Sequence, residues 1–458
     1  MASSLARPET EGPRSPSPAT WRGAPIVGAL ADLRKDQLGT LERMAELGSP
    51  VSFRILNKRL HLLSDPDQID RALVGNVRAY DKRTVGYDHL RTVVGNGLLT
   101  SEGGFWRRQR RIAQPAFKRP RIEGFAAIMT ESAEDMVESW RDGEVVDILR
   151  EMMRVTMRIA GLSLLSRDVS AAADEVGEAL TTAIEHVSYR TETPWAPPDW
   201  VPTPRNRQFR AALATLDRVV ADILRARRAG QTEQGDLLDI LMTATDPETG
   251  EGMSDEQLRD EVMTIFLAGH ETTAVALAWT FDLLGRHPDV AARLREEVDG
   301  ALGGRAPTID DLPRLPYAEK VLYESMRLYP PAWMVERSAA VDHEIAGHPI
   351  RRGDWVLISP WVTHRRADIW PDPSRFDPER FGPESREKAR PRYAYFPFGG
   401  GQRKCIGDRF ALVEARLILA AVVQRASLEA TREHPPAPDP LVTLRPGGGT
   451  PMRVALRR

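Results

Sequence analysis

The feature that most constrains the fold is a long apolar helix predicted to begin at Ser254. The string SDEQ places Ser254 at the N-cap and Gln257 three residues later, which is the arrangement of a capping box. Apolar residues then recur at helical spacing to about Gly285, and His287-Pro288 ends the pattern. At 1.5 Å per residue the helix is roughly 45–50 Å long, enough to cross a whole domain. Such a helix predicts one large, α-rich body.

Helical patterns also dominate the chain between about residues 66 and 300, with apolar residues three and four positions apart. Two segments interrupt them. Residues 191–205 carry five prolines and two tryptophans, which excludes a helix interior, and residues 230–236 form a polar loop. A further helix is predicted at about residues 408–424.

Short β-like runs lie near both ends of the chain. Residues 51–56 and 60–64 flank a predicted turn at residues 57–59, which indicates a hairpin. Residues 336–360 hold further short runs separated by glycine-containing turns. Because distant segments must pair to form such a sheet, we expect one domain, residues 19–458. The predicted fold class is mainly α with a minor β-sheet region.

Composition excludes several classes of protein. The 63 basic and 65 acidic side chains give a formal net charge of −2, so no field of one sign points to nucleic acid or membrane. The single cysteine cannot form an internal disulfide, and the cytoplasm is the expected location. No run reaches the roughly 20 apolar residues of a membrane anchor. Residues 1–18 have no signal-peptide stretch and are predicted to be a disordered lead.

The cysteine lies in a glycine-rich string, FPFGGGQRKCIG, at residues 396–407. Glycines at 399–401 and at 407 have no β-carbon, so the backbone can turn tightly and approach a flat macrocycle. Loop N–H groups and the start of the next helix, near Asp408, would favour a thiolate at Cys405. From the cysteine alone, the alternative is a small buried hydrophobe.

The long helix contains the string AGHETT at residues 268–273. Gly269 weakens a helix interior, and Thr272 can bond a carbonyl one turn earlier and bend the helix. We therefore expect a functional bulge that leaves room for a small ligand and water beside Glu271 and Thr272. The alternative is a buried polar cluster that caps a kink. His270 is interpreted as a helix-face side chain rather than a metal ligand.

These segments, in this order, resemble the cytochrome P450 family of haem-thiolate monooxygenases. The cysteine string matches the family signature at each named position, which Phe398, Gly401, Arg403, Cys405 and Gly407 fill. The resemblance implies that Cys405 is the axial ligand of the iron of haem b and that Arg403 pairs with a haem propionate. It also implies that the haem lies between the long central helix and the helix after the cysteine.

Residues 268–273 resemble the oxygen-activation motif of the same family. Carried over, Thr272 hydrogen-bonds dioxygen, Glu271 feeds protons through water, and Ala268 lies against the cofactor. Reduction of dioxygen to the level of water consumes protons, so a relay is chemically required. The acid is Glu here, and the family uses either Asp or Glu.

The pair Glu324 and Arg327 lies three residues apart, on one helical face. Such a pair is usually a solvated surface bridge of little value. The family instead buries a Glu-x-x-Arg pair beneath the haem and locks it with an arginine from a later segment. PERF at residues 378–381 supplies Arg380, so the three side chains are expected to form a structural network.

Trp106 and Arg110 lie four residues apart on one helical face. The resemblance implies that they bind a haem propionate and that Arg337 is a further propionate partner, since the guanidinium fork matches a carboxylate. The basic residues around them, with Lys404, read as a solvated face, a weak nucleic-acid patch or a docking surface. We favour docking of an acidic electron carrier. The basic residues around Trp106 and Arg110 are Arg107, Arg108, Arg111, Lys118, Arg119 and Arg121.

The resemblance implies a monooxygenase that inserts one atom of O2 into its substrate. Electrons would come from a ferredoxin or flavodoxin-type donor with its reductase, because only a short tail follows the cysteine helix. Two alternatives stay open: a peroxide-driven or oxygen-independent haem-thiolate enzyme, and a non-enzymatic haem sensor or carrier. The intact Glu271–Thr272 pair counts against the first, and the lack of an output domain against the second.

Family pockets are built from variable loops, by analogy residues 84–95, 191–205, 332–335 and a turn near 449–450, besides the face around Ala268 and Thr272. Trp333, Met334, Val335 and Ala268 would form an apolar wall. A lipophilic substrate is therefore expected, such as a fatty acid, terpenoid, steroid or polyketide. The spelling AGHETT and the Trp106 helix are similar to fatty-acid hydroxylases. Trp195 and Trp200 would either line an entrance lid or simply pack.

Overall fold

The computed structural model describes residues 19–165, 173–230, 236–246, 248–383 and 390–457. The expected disordered lead, residues 1–18, lies outside the described residues, as does most of the polar loop predicted at 230–236. The chain is mainly helical with small β-sheets, so the predicted fold class is confirmed.

Helices make up most of the described structure. They are α1 (Leu30–Lys35), α2 (Gln37–Glu46), α3 (Pro66–Asp70), α4 (Val85–Val94), α5 (Gly103–Ala113), α6 (Arg119–Glu138), α7 (Ile148–Leu165), α8 (Ala173–Glu192), α9 (Pro204–Arg228), α10 (Leu237–Thr243), α11 (Asp255–Arg286), α12 (Pro288–Leu302), α13 (Pro316–Leu328), α14 (Pro360–Thr363) and α15 (Asp408–Arg425).

The long helix α11 forms as predicted. Ser254 is its N-cap, and the reciprocal bonds between Ser254 and Gln257 form the capping box. Its side chains are buried on nearly every face, because α11 packs against α7, α9, α13 and α15. By length and composition α11 could also cross a membrane, but 83% of its most apolar window is buried inside the protein. We therefore interpret α11 as the central core helix.

The strands fall in four small sheets. They are β1 (Ala19–Thr20), β2 (Val51–Ile55), β3 (Lys58–Leu63), β4 (Tyr80–Asp81), β5 (Val145–Asp147), β6 (Val335–Ala339), β7 (His343–Ile345), β8 (His348–Ile350), β9 (Trp355–Ile358), β10 (Ala426–Ala430), β11 (Pro438–Pro440), β12 (Leu444–Pro446) and β13 (Pro451–Leu456).

The main sheet joins the two ends of the chain, as predicted. Its strand order is β1-β2-β3-β9-β6-β4, with Leu60 opposite Trp355 in a parallel pair. The hairpin β2–β3 pairs Ile55 with Lys58, so its turn is Leu56-Asn57 and the predicted turn at 57–59 was one residue late. Leu56 adopts the left-handed conformation, with φ of 53°, that such tight turns require.

The proline-rich segment separates α8 from α9. The helix α8 ends at Glu192, and Thr203 caps α9 through the backbone N–H of Asn206, so the predicted break is confirmed. Trp195 and Trp200 are largely exposed, at 62% and 77%. The guanidinium of Arg34 lies 5.2 Å from the ring centroid of Trp195.

Candidate functional site

The segment around the cysteine is a tight loop that leads into α15. The backbone N–H of Cys405 donates to the carbonyl of Phe398 at 3.0 Å, which closes the loop. Gly401 has φ of 62°, and a β-carbon there would lie 2.1 Å from the carbonyl oxygen of Leu73. Glycine is therefore required at 401. At Gly407 a β-carbon would meet only ordinary contacts with Phe117, so the surrounding protein does not require glycine there.

Cys405 presents its accessible surface to an internal cavity rather than to bulk solvent. Desolvation raises the pKa of its thiol, while a hydrogen bond from the backbone of Gly407 and the charges of Arg110 and Lys404 act in the opposite direction. The hydrogen bond at the start of α15 acts in the direction expected from the sequence, but desolvation outweighs it. A cation at sulfur would supply the missing compensation.

The cavity has a volume of about 480 Å³, which is typical of a pocket for a small molecule. Its lining is mostly apolar, with contributions from α4, α8, α11 and the segment after α13. The structure brings together in its wall the residues to which the sequence assigned an individual contact with cofactor, oxygen or substrate, although not all of the predicted pocket loops. These are Ala268, Glu271, Thr272, Trp106, Arg110, Trp333, Met334, Val335, Arg337, Phe398, Arg403, Cys405 and Gly407.

The turn of α11 that faces the cavity carries the acid and the alcohol. The hydroxyl of Thr272 donates to the carbonyl of Ala268 at 2.8 Å, as predicted. However, α11 is α-helical throughout, so the expected bulge does not form. A carbonyl oxygen has two acceptor sites, so that of Ala268 can accept the Thr272 hydroxyl without leaving the helix. Thr156 of α7 likewise donates to the carbonyl of His270 at 2.9 Å.

Glu271 is buried, and its carboxylate accepts hydrogen bonds from residues that are distant in the sequence. Its Oε1 accepts from Nε of Arg445 at 2.8 Å and from the hydroxyl of Thr443 at 2.5 Å. The neighbouring His270 is also buried but does not line the cavity, and desolvation lowers the pKa of its ring to about 3. This placement supports the interpretation of His270 as a helix-face side chain.

Besides Lys404, four cations line the cavity near the cysteine loop. Arg403 pairs with Glu102 at 2.9 Å, and its guanidinium carbon lies 3.8 Å from the ring centroid of Trp106. Arg110 donates to the carbonyl of Lys404 at 2.9 Å, and Arg337 donates to that of Glu336 at 2.8 Å. The fourth cation is Lys82, whose ammonium bonds the carbonyl of Leu99. The four cations converge on one region of the wall.

The cation cluster is not compensated by protein groups alone. Nη1 of Arg403 is buried and has no hydrogen-bond partner among the described residues. Desolvation, with the charge of Arg337, lowers the pKa of Arg403 to about 10. Desolvation together with Arg337 and Arg403 holds the pKa of Lys82 well below its usual value. An apolar cavity with a cysteine and uncompensated cations fits a haem, which presents an iron atom, a flat apolar ring and two carboxylates.

A family model for cytochrome P450 matches residues 18–450 of the chain. The chain belongs to the cytochrome P450 family. The cyclooctat-9-en-7-ol 5-monooxygenase of Streptomyces melanosporofaciens is 38% identical over 93% of this chain and 91% of that protein. The pentalenene oxygenase of Streptomyces avermitilis is 34% identical over 94% of this chain and 95% of that protein.

Solved structures agree with the family assignment. The haem domain of cytochrome P450DA superposes with a TM-score of 0.87 at 31% identity, covering 97% of this chain and 98% of that one. The chain is therefore a cytochrome P450 monooxygenase that acts on a lipophilic substrate. Its family cofactor is a haem with a thiolate ligand, and its reaction uses O2 and electrons from redox partners.

The Glu324–Arg327 pair of this P450 is fully buried and lies outside the cavity lining. Arg327 makes two bonds to Glu324, at 2.7 and 2.8 Å, and further bonds to the carbonyls of His364 and Pro373. Nε of Arg380 lies 3.3 Å from Oε1 of Glu324. This buried network ties α13 to the segment before the cysteine loop.

The substrate side of the P450 cavity differs in one loop from the expectation. The predicted turn at Gly449-Thr450 does not line the cavity, because Asp147 bonds the backbone N–H of Thr450 at 2.8 Å. The segment from Pro440 to Thr443 lines it instead. Trp195 and Trp200 do not line it either, although Thr191 and Glu192 at the end of α8 do.

The basic cluster on α5 of this P450 is partly neutralised by neighbours. Arg108 pairs with Glu251 at 2.8 Å, and Arg111 pairs with Asp246 and Glu248, both at 2.9 Å. Arg119 likewise pairs with Glu123 on its own helix. The positive face expected from the sequence is therefore weaker than a count of its arginines implies.

Three residues were not found from the sequence: Lys82, which lines the cavity, and Arg445 and Glu414, which interact with Glu271 and Thr273 behind its wall. Each is a buried, titratable side chain in a segment without a motif. Lys82 lies in a short stretch before α4, and Arg445 lies 174 residues from its partner Glu271. Pairing over such distances leaves no signal in local spacing.

Proposed function

We propose that this P450 hydroxylates a terpenoid, a cyclic alkene or alkenol with few polar groups, held over a haem b. The single observation that carries this proposal is the cavity: a thiol and four cations at one end, an acid and an alcohol on α11, and apolar side chains elsewhere. A cavity with so few polar groups in its substrate wall favours a compact hydrocarbon skeleton. The relatives named for cyclooctat-9-en-7-ol and pentalenene support the same class.

The residues would divide their roles between the two ends of the cavity. Cys405 would ligate the iron, and Lys82, Arg110, Arg337 and Arg403 would neutralise the two haem carboxylates. Trp106 would hold the guanidinium of Arg403 in place, as its 3.8 Å contact indicates. The haem supplies the activation of dioxygen for insertion into a C–H bond.

On α11, Glu271 and Thr272 would manage the two protons that each turnover consumes. The carboxyl of Glu271 lies at the cavity wall and can hold a proton, while the Thr272 hydroxyl can turn from the carbonyl of Ala268 to donate a hydrogen bond into the cavity. Ala268, Phe398 and Gly407 would contact the cofactor, and Trp333, Met334 and Val335 would contact the substrate. Glu324, Arg327 and Arg380 would act only as a scaffold.

Residues 19–458 would form one domain, and the protein would lie in the cytoplasm. A ferredoxin or flavodoxin-type donor would dock near Lys404 and the exposed Arg107. Pairing of Arg108 and Arg111 with acids leaves fewer charges for steering, so the docking is expected to be weak and sensitive to salt.

The experiment is a carbon monoxide difference spectrum of the reduced protein, followed by a spin-state titration with three matched lipophiles. A red-shifted Soret band and the tightest binding by a cyclic terpenoid hydrocarbon are expected, with a fatty acid and a steroid at least tenfold weaker. Tighter binding of the fatty acid would overturn the substrate class. Product formation with hydrogen peroxide but not with O2 and electrons would overturn the monooxygenase reaction. Cys405→Ser is the control for the spectrum.

A further inference from the structure

The C-terminal hairpin β11–β12 is held to the core through its backbone. The indole N–H of Trp279, on α11, donates to the carbonyl of Leu444 at 2.8 Å. The indole N–H of Trp333 donates to the carbonyl of Leu441, also at 2.8 Å, and the N–H of Leu444 donates to Pro331 at 3.0 Å. The hairpin is thereby fixed against both α11 and the segment after α13.

Two side chains of this hairpin reach the same oxygen atom of Glu271. Arg445 and Thr443 are both buried, and each donates to Oε1, at 2.8 and 2.5 Å. Nη1 of Arg445 also lies 3.4 Å from the hydroxyl of Thr181 on α8. The carboxylate is thus held by the hairpin, and its partner Arg445 also contacts α8. Buried charge-assisted bonds of this kind restrict the rotation of a carboxylate strongly.

We infer that Arg445 and Thr443 are positioning residues for the acid of the oxygen reaction. By occupying Oε1, they leave Oε2 of Glu271, a residue that lines the cavity, without a bond from the hairpin. The inference rests on the proposed role of Glu271 in proton delivery. Because Leu441 and Val442 line the cavity on the same hairpin, the orientation of the acid is tied to the wall that contacts the substrate.

Loss of these bonds to Glu271 is expected to change the yield of product per electron pair rather than the binding of substrate. Productive turnover converts RH, O2, two electrons and two protons into ROH and water. Unproductive turnover converts O2, two electrons and two protons into hydrogen peroxide. A carboxylate that is free to rotate delivers its proton to the wrong place or too late, so electrons are diverted from the first reaction to the second.

The test compares Arg445→Met, Arg445→Lys and Thr443→Val in the holoenzyme with a surrogate electron donor. Arg445→Met is expected to lower product per electron pair five- to tenfold and to raise peroxide correspondingly. Thr443→Val should lower it two- to threefold, and Arg445→Lys should lie between the wild type and Arg445→Met. Arg453→Met, an exposed arginine on β13 that donates to the carbonyl of Gly143, is the matched control and should change nothing.

A double-mutant cycle with Glu271→Gln separates positioning from a merely structural role. In the Glu271→Gln background, Arg445→Met should cause less than a twofold further loss, because its effect acts through the carboxylate. The solvent deuterium isotope effect on product formation should rise in Arg445→Met as it does in Glu271→Gln. Equal losses in both backgrounds would overturn the inference.

Two measurements keep the inference testable if a variant is unstable or the activity assay fails. A crystal structure of resting Thr443→Val or Arg445→Lys should show the Glu271 carboxylate rotated from its position in the wild type, and an unchanged carboxylate would overturn the inference. If Glu271→Gln leaves product yield intact, the proposed role of Glu271 fails. If Glu271→Gln is impaired and Arg445→Met is not, only the positioning role fails.

Discussion

On the α11 side of the cavity, the buried acid Glu271 finds its partners within the protein, whereas on the cysteine side Arg403 retains a buried nitrogen with no partner among the described residues. Both regions remove charge from water, at a considerable cost in desolvation. The first region offsets that cost with Arg445 and Thr443. The second needs an anionic ligand to offset it. The difference indicates which side of the cavity can be assembled by folding alone and which side depends on its cofactor.

The strongest test of the cysteine side is Cys405→Ser. We expect complete loss of the thiolate-type spectrum with carbon monoxide and loss of hydroxylation, because a serine hydroxyl is a poor substitute for thiolate at iron. Absorption spectroscopy of the reduced protein measures the change. Retained activity with an unchanged Soret band would remove Cys405 from the iron site.

The cation cluster gives the next largest effect. Lys82→Met and Arg403→Met should each speed the loss of haem to a scavenger apoprotein by about 10- to 100-fold, because each removes one charge-assisted bond to a carboxylate. The exposed Arg107→Met is the matched control and should leave the rate within twofold. Glu271→Gln should also leave it unchanged, and a large effect there would break the division between the two sides.

A smaller effect is expected on the α11 side from Thr272→Ala. The variant should retain haem and substrate binding while product per electron consumed falls about fivefold and peroxide rises, because the hydroxyl donor is lost. Thr272→Ser restores the hydroxyl and should recover most of the yield. Simultaneous measurement of product, peroxide and cofactor oxidation checks this, and unchanged coupling in the alanine variant would contradict it.

The smallest expected effect concerns Glu414, on α15 between the two sides. Its oxygens have no hydrogen-bond partner of good geometry among the described residues, and burial raises its pKa to about 8, against a slight opposing effect of Thr273. Because the folded pKa lies above the ordinary value of 4.5, the unfolded chain loses its proton first as pH rises. The stabilising contribution of Glu414 to the free energy of unfolding is therefore complete below about pH 4.5, and it decreases as the pH rises to about 8.

Glu414→Gln should make the free energy of unfolding depend less on pH in this range. At pH 8 its free energy of unfolding should exceed that of the wild type by about 1–3 kcal/mol, as the neutral amide avoids the cost of a buried carboxylate. Urea unfolding at pH 5, 6.5 and 8 measures the difference. The exposed Glu296→Gln on α12 is the control, and parallel pH curves for all three proteins would contradict the assignment.

Local rules explain which features could be predicted. The cap at Ser254, the hairpin β2–β3 and the cysteine loop each depend on residues a few positions apart, and the structure reproduces them apart from a one-residue shift of the hairpin turn. The expected bulge at Thr272 did not form, because a carbonyl has two acceptor sites and that of Ala268 can take the Thr272 hydroxyl within a regular helix. The partners of Glu271 and the fourth cation, Lys82, depend on tertiary packing that no local pattern encodes.

The attachment of the C-terminal hairpin has an evolutionary consequence. Trp279 and Trp333 donate to carbonyl oxygens, which every amino acid supplies, so these two attachments do not depend on the hairpin's own side chains. Leu441 and Val442 can therefore be exchanged without dislodging the wall they form. Related enzymes can diversify at these two positions to accept new molecules, and a laboratory library confined to them would begin from an intact catalytic apparatus.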